Sequence, residues 1–200
     1  MQSHNQGERI VVKVGGSLYG LADLGARLRN WLASKDFEAV LIVPGGGALA
    51  DAVRSLDTNH NLGEEAVHWL ALRALTVAAH FLAALLPDAR LVDHPDEWRC
   101  GELAVLDPFA FARRDQGKMG ELPHCWSVTS DSIAAHVAHV ATAKRLVLLK
   151  SVTIPVGMDW KEAARRGWVD AYFADAVGAG LAVETINLRN YQPEAQARAG

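Results

Sequence analysis

The sequence is poor in cysteine: only Cys100 and Cys125 occur in 200 residues, at no metal-ligand spacing. One disulfide is arithmetically open, but reduced thiols in a cytosolic protein are the expectation. It also lacks an excess of positive charge. With a net charge of −3 there is no basic field to hold nucleic acid. The most apolar run, Ala74 to Leu86, contains His80 and falls short of the roughly 20 residues that a bilayer demands. Met1 to Glu8 is polar and has no apolar core, so it reads as a short disordered lead-in and not as a signal peptide. No internal repeat, low-complexity stretch or G-x-x-x-x-G-K-[ST] phosphate loop is present. These absences leave a soluble, cytoplasmic protein with neither nucleic acid nor membrane as partner.

Half of the residues are apolar, enough for one well-buried domain or one domain in two lobes. Val11-Val12-Lys13-Val14-Gly15-Gly16-Ser17 reads as a buried strand that ends in a lysine and breaks into a tight glycine loop. Leu21, Leu24, Leu28, Trp31 and Leu32 then recur at helical spacing. The next strand signal, Val40 to Val43, runs into a second loop, Pro44-Gly45-Gly46-Gly47. Strand, helix, strand with short connections is a βαβ unit and implies a parallel pair. The two loops set bare backbone N–H groups at one edge of the sheet, a receptor for phosphate oxygens.

Downstream, Leu49, Val53 and Leu56 mark another helix, and Asp57 to Asn61 reads as a polar break. From Glu64 the pattern is helical up to Pro87, with an apolar face broad enough for burial on more than one side. Such a helix is either a central core element or a subunit interface, and the interface, hence a homo-oligomer, is favoured. Short strands follow at 90–92 and 103–106. Asp107-Pro108 caps a helix through Ala112, and Arg113 to Glu121 reads as an exposed loop. A hydroxyl-rich turn, Thr129-Ser130-Asp131-Ser132, opens a helix bearing Ile133, Val137 and Val140. Leu146 to Leu149 is a strand buried on both faces, ending in Lys150. A loop at 151–158, helices at 160–166 and 169–177 and a strand at 181–188 complete the pattern. Tyr191-Gln192-Pro193 starts a last helical turn in a polar tail. This alternation gives an α/β sandwich with a mainly parallel sheet, whose ligands sit at the carboxyl ends of the strands.

Four features fall at those ends: Lys13 with its glycine loop, the triple glycine, Asp131 and Lys150. Phosphoryl transfer needs cations and donors around the travelling group, in line with donor and acceptor, more than covalent help. The two lysines supply charge neutralisation, and Asp131 orients them or holds a Mg²⁺-nucleotide. Each feature alone has a plainer reading: a flexible turn for the glycines, a helix cap for Asp131, a solvated strand end for Lys150. A charge on a buried strand without a partner is costly, which argues for a site at Lys13. His136 and His139 lie one turn apart, but no Glu or Cys at compatible spacing completes a metal site. Arg54 either grips an acceptor phosphate or lies on the solvated face of its helix. His68 and Trp69 either line an acceptor pocket or pack at an interface.

Val12-Lys13-Val14-Gly15-Gly16-Ser17, Pro44-Gly45-Gly46-Gly47 and Ser130-Asp131-Ser132-Ile133-Ala134-Ala135 resemble the signature segments of the amino acid kinase superfamily. That superfamily includes acetylglutamate, aspartate, uridylate and isopentenyl phosphate kinases, and folds as a three-layer αβα sandwich around a mainly parallel sheet. The resemblance runs from Lys13 to about Asn187. It implies ATP and Mg²⁺, with Lys13, Asp131 and Lys150 as catalytic residues. Gly15, Gly16, Ser17 and Ser130 would hold phosphate, with Asp170 and Phe173 near the nucleotide. Gly45, Gly46 and Gly47 would meet the acceptor, where Arg54 and His68 are the candidate side chains. It also implies an acceptor and phosphate lobe at about 9–128 and a trimmed nucleotide lobe at about 129–190.

Ala66-Val67-His68-Trp69-Leu70-Ala71 and the stretch from Leu122 to Ala135 are similar to the short kinases of methanofuran biosynthesis. Those enzymes phosphorylate the phosphate of an aminomethyl-furanmethanol phosphate, giving a diphosphate. The resemblance therefore implies a phosphorylated small molecule as acceptor. An amino acid carboxylate, uridylate or isopentenyl phosphate is the alternative. The chain departs from many relatives after Lys150: Ser151-Val152-Thr153 stands where an Asp-Gly-hydrophobic turn is common. That departure keeps open a non-catalytic nucleotide-binding or storage protein on the same fold.

Overall fold

The fold is that of a computed structural model, described over residues 8–191. The expected lead-in and the helical turn beyond Tyr191 lie outside the described residues. β1 (Glu8–Val14) runs through the middle of a six-stranded sheet, between β2 (Phe37–Pro44) and β5 (Arg145–Lys150). β4 (Leu103–Leu106) and then β3 (Arg90–Val92) lie outside β2, and β6 (Ala182–Asn187) lies outside β5. The order is β3-β4-β2-β1-β5-β6 and all five pairings are parallel. Parallel neighbours need crossovers that cover both faces, and the strands' near-continuous apolar runs meet that need.

Alternating side chains divide these runs between two cores. Val11, Leu41, Val43, Leu146 and Leu148 face one layer, which holds α5 (Ser130–Val140), α6 (Trp160–Arg165) and α7 (Phe173–Val177). Ile10, Val12, Val14, Ile42, Val147 and Leu149 face the other, against α1 (Leu24–Ala33) with its fully buried Trp31. The result is the expected three-layer sandwich. α3 (Glu64–Leu85) serves both layers, with Leu72 and Leu75 in the first core and Ala79 and Leu82 in the second. It leaves Leu70, Val77 and Phe81 at the surface. Because it begins at Glu64, α3 has 22 residues and is by length and composition long enough to cross a membrane. The apolar run alone had understated it.

Three local expectations change. Asp57 to His60 is not a break: α2 (Gly47–His60) continues through it and ends at Asn61, in a left-handed conformation with φ 49°. Thr58, Asn59 and His60 are exposed, and Thr58 bonds back to the Arg54 carbonyl at 2.9 Å, so polarity marks an exposed turn of helix. α4 (Pro108–Asp115) runs three residues past Ala112, capped by Asp107 as expected. The helix expected over 169–177 is only Phe173–Val177, because Asp170 is drawn out to bond the start of α5.

Candidate active site

Lys13 shares the parity of Val11 on β1, and Lys150 shares that of Leu148 on β5, so both point to the layer that α5 covers. β1 and β5 are neighbours in the sheet, and α5 begins beyond their carboxyl ends with Asp131 in its first turn. Asp131 Oδ1 lies 2.8 Å from Lys13 Nζ, and Lys150 Nζ donates to both Asp131 oxygens at 2.8 Å. All three are buried: Lys13 is 4% exposed, Asp131 5% and Lys150 8%. Burial pushes the Asp131 carboxyl up, but Lys13 and Lys150 outweigh it and hold the group below its ordinary value. Burial, reinforced by the charge of Lys13, pushes Lys150 down to about 8 against the pull of Asp131. With one carboxylate against two ammonium groups, the cluster lacks one countercharge, which suits it to an anion. Breaking such a buried set from within costs about 3–5 kcal/mol.

The glycine loops cross each other within backbone contact. A Cβ on Gly16 would stand 2.1 Å from the Gly47 nitrogen, and one on Gly45 would stand 2.4 Å from the Gly16 nitrogen. Gly47 also holds φ +52°, a conformation glycine adopts at little cost. The expectation of bare N–H groups needs a correction at two positions. Gly15 N–H donates to the Leu149 carbonyl and Gly45 N–H to the Val14 carbonyl, each at 2.8 Å. They continue the sheet's bonding and lock the loops to it. The N–H groups of Gly16, Ser17, Gly46 and Gly47 have no backbone acceptor among the described residues. Tyr19, which sequence reasoning passed over, donates from its hydroxyl to the Gly45 carbonyl at 2.7 Å and fixes the second loop from the first. Its only sequence signal is a lone aromatic in a stretch of small residues.

A cavity of about 180 Å³ opens beside this crossing, lined by Lys13, Gly16, Gly46, Gly47, Arg54 and His68 among others. It therefore joins the first lysine, both loops and the two residues whose sequence reading was left open. Arg54 is half-exposed and pairs with Asp51 at 2.6 Å. Its guanidinium lies 4.9 Å from the centre of the Trp126 ring, whose Nε1–H donates to Asp57 at 3.1 Å. Trp126, Thr129 and Ser130 complete the wall nearest α5. Trp126 was missed as a pocket residue because nothing local distinguishes it from a core tryptophan.

Asp170 and Phe173 have structural partners. The Asp170 carboxylate accepts from Thr129 N–H and Oγ1 and from Ser132 N–H and Oγ, so it fixes the start of α5. Phe173 is fully buried against Trp160 and has no surface to offer. His136 bonds Asp115 at 2.6 Å and His139 bonds the Ala176 and Val177 carbonyls, which is structural work. Past Lys150, Ser151 Oγ meets Ser17 Oγ at 2.8 Å and so ties the departing segment to the first loop.

No family model matches the chain. Over 146 residues it is 27% identical to the [5-(aminomethyl)furan-3-yl]methyl phosphate kinase of Methanocaldococcus jannaschii, covering 71% of this chain and 65% of that protein. The match thus spans just under two thirds of the relative's length. In fold it is similar to the uridylate kinase of Archaeoglobus fulgidus, with TM-score 0.63, 16% identity and 90% of each chain covered. The UMP kinase of Ureaplasma parvum gives TM-score 0.61 and 15% identity over 94% of this chain and 92% of that one. Sequence and fold likeness together bear out the resemblance to the amino acid kinase superfamily.

Proposed function

We propose that this chain, which carries the amino acid kinase fold, moves the γ-phosphoryl group of ATP onto a small phosphate monoester to give a diphosphate. The acceptor we assign is [5-(aminomethyl)furan-3-yl]methyl phosphate, the compound in the name of the Methanocaldococcus jannaschii relative. The observation that carries the reading is the pair of buried lysines sharing Asp131 at adjacent strand ends, beside the crossed glycine loops. An acceptor phosphate oxygen attacks the γ-phosphorus, and the bond to the β–γ bridging oxygen breaks with its electrons leaving on ADP. A phosphate dianion has no proton to lose, so no general base is required. Asp131, clamped by two lysines, is accordingly a positioning residue.

Lys13, with the Gly16 and Ser17 N–H groups, neutralises the travelling phosphoryl, and Lys150 and Ser130 serve the ATP side. Gly46, Gly47, Arg54 and His68 serve the acceptor. ATP phosphates suit this cradle, since it is short of negative charge and the Gly16, Ser17, Gly46 and Gly47 N–H groups have no backbone acceptor among the described residues. The described residues hold no group of three His, Cys, Asp or Glu side chains for a metal. Mg²⁺ bound mainly by nucleotide phosphates and water would not need one, and it would supply positive charge to the phosphates. In this reading residues 9–128 form the acceptor and phosphate lobe and 129–190 a reduced nucleotide lobe.

Phosphorus NMR of the protein with Mg²⁺-ATP and the furan monophosphate is the test. The reading expects ADP together with a new coupled pair of diphosphate resonances. Tight ATP binding without any phosphorylated product supports the nucleotide-binding protein instead. The surface stripe of Leu70, Val77 and Phe81 on α3 further suits pairing of two copies. Light scattering should give at least a dimer, and a monomer mass at assay concentration would count against it.

A further inference from the structure

The acceptor pocket does not end in plain apolar wall. A smaller cavity of about 30 Å³ adjoins it, and the two share His68, Leu72, Val128 and Ile133. The smaller one also borders Asp115, Glu121, His124 and His136. Charge is therefore divided between the two cavities, with Lys13 and Arg54 lining the larger and the Asp115 and Glu121 carboxylates lining the smaller. His68 is the partition. Its ring stacks on His124 with centroids 4.0 Å apart and planes 13° from parallel. His124 is bracketed by Glu65 at 2.8 Å and Glu121 at 3.0 Å, so even a protonated His124 leaves this group net negative.

The Nε2 atom of His68 is shielded from solvent and has no hydrogen-bond partner among the described residues. Burial, and then the charge of His124, push His68 down to about 4. Its imidazole is thus neutral at neutral pH, and with the proton on Nδ1 its Nε2 lone pair accepts a hydrogen bond. Beyond it, Asp115 gives Oδ2 to His136 at 2.6 Å, while its Oδ1 has no hydrogen-bond partner among the described residues. A shielded acceptor backed by carboxylates asks for a cationic donor.

We propose that the acceptor pocket is bipolar: Lys13, Arg54 and the glycine loops seat a phosphate monoester, and His68, backed by Glu121 and Asp115, seats a primary ammonium at the opposite end. This rests on the kinase reading above and narrows its substrate class to zwitterionic phosphates. Isopentenyl phosphate and uridylate carry no such cation and would leave His68 Nε2 and the carboxylates unmatched.

Calorimetry with two ligands separates the ideas: the aminomethyl furan phosphate, and an analogue with methyl in place of aminomethyl. The wild-type protein should bind the amine about 10- to 100-fold more tightly, the range of a hydrogen bond to a charged group. In His68→Phe and in Glu121→Gln that ratio should fall towards one. Glu121 lines the smaller cavity and not the larger, so the second variant guards against misfolding of the first. Equal wild-type affinities, with ADP still released on the methyl analogue, overturn the bipolar pocket and leave phosphoryl transfer standing. A preference retained in both variants overturns the assignment to these residues. If neither ligand binds and neither releases ADP, the pocket and the kinase reading fall together.

Discussion

At Lys150 the fold holds an ammonium group where water would ordinarily stabilise it. Its value near 8, against an ordinary 10.5, has a definite sign in linkage. Between those two values the unfolded chain binds more protons than the folded one, so the Lys150 contribution to stability rises with pH across that window. Below about 8 both states hold the proton and the contribution is flat. A bound phosphate favours the charged form and raises the value again. Mg²⁺-ATP binding at pH 8 should therefore take up protons, read as a binding enthalpy that changes between buffers of different ionisation heat. Lys150→Met should abolish that buffer dependence. A wild-type enthalpy independent of buffer at pH 8 would remove Lys150 from the anion site.

At the scale of elements, the crossing of the two loops makes the site a joint product of β1 and β2. Gly16→Ala drives a Cβ into the Gly47 backbone, so the crossing must open. Thermal unfolding should show a loss of about 1–3 kcal/mol, together with a collapse of activity. Gly20→Ala, where nothing lies within 4 Å, should stay within about 0.5 kcal/mol. Equal effects of the two would deny the crossing its importance.

The strands, the lysines at their ends and Asp131 in a helix's first turn were legible in the sequence, since period-two burial and helix starts are local signals. The crossing was not. It depends on two loops some thirty residues apart meeting through backbone, with no side chain to announce it, and on Gly15 and Gly45 giving their N–H groups to the sheet. The end of α2 was misread because an exposed helical turn and a polar break have the same composition. Phe173 was placed by chain order, yet it packs beneath Trp160. The stacking of His68 on His124 joins α3 to the segment after α4, and no short-range pattern signals it.

Across the whole molecule, one all-parallel sheet brings every proposed reacting group to a single edge. The adjacent strands β1 and β5 deliver Lys13 and Lys150, the layer above them supplies Asp131, and α2 and α3 close the acceptor pocket. Charge there is divided between the cationic side chains of the larger cavity and the carboxylates of the smaller. The account stands or falls on whether the lysine cluster stabilises a travelling phosphoryl group. The direct measurement is the rate of ADP release with Mg²⁺-ATP and the furan monophosphate, for wild type and for Lys13→Ala shown to be folded by circular dichroism. Removing one preorganised charge-stabilising group should slow release about 100-fold or more. Equal rates in the two proteins would contradict the account.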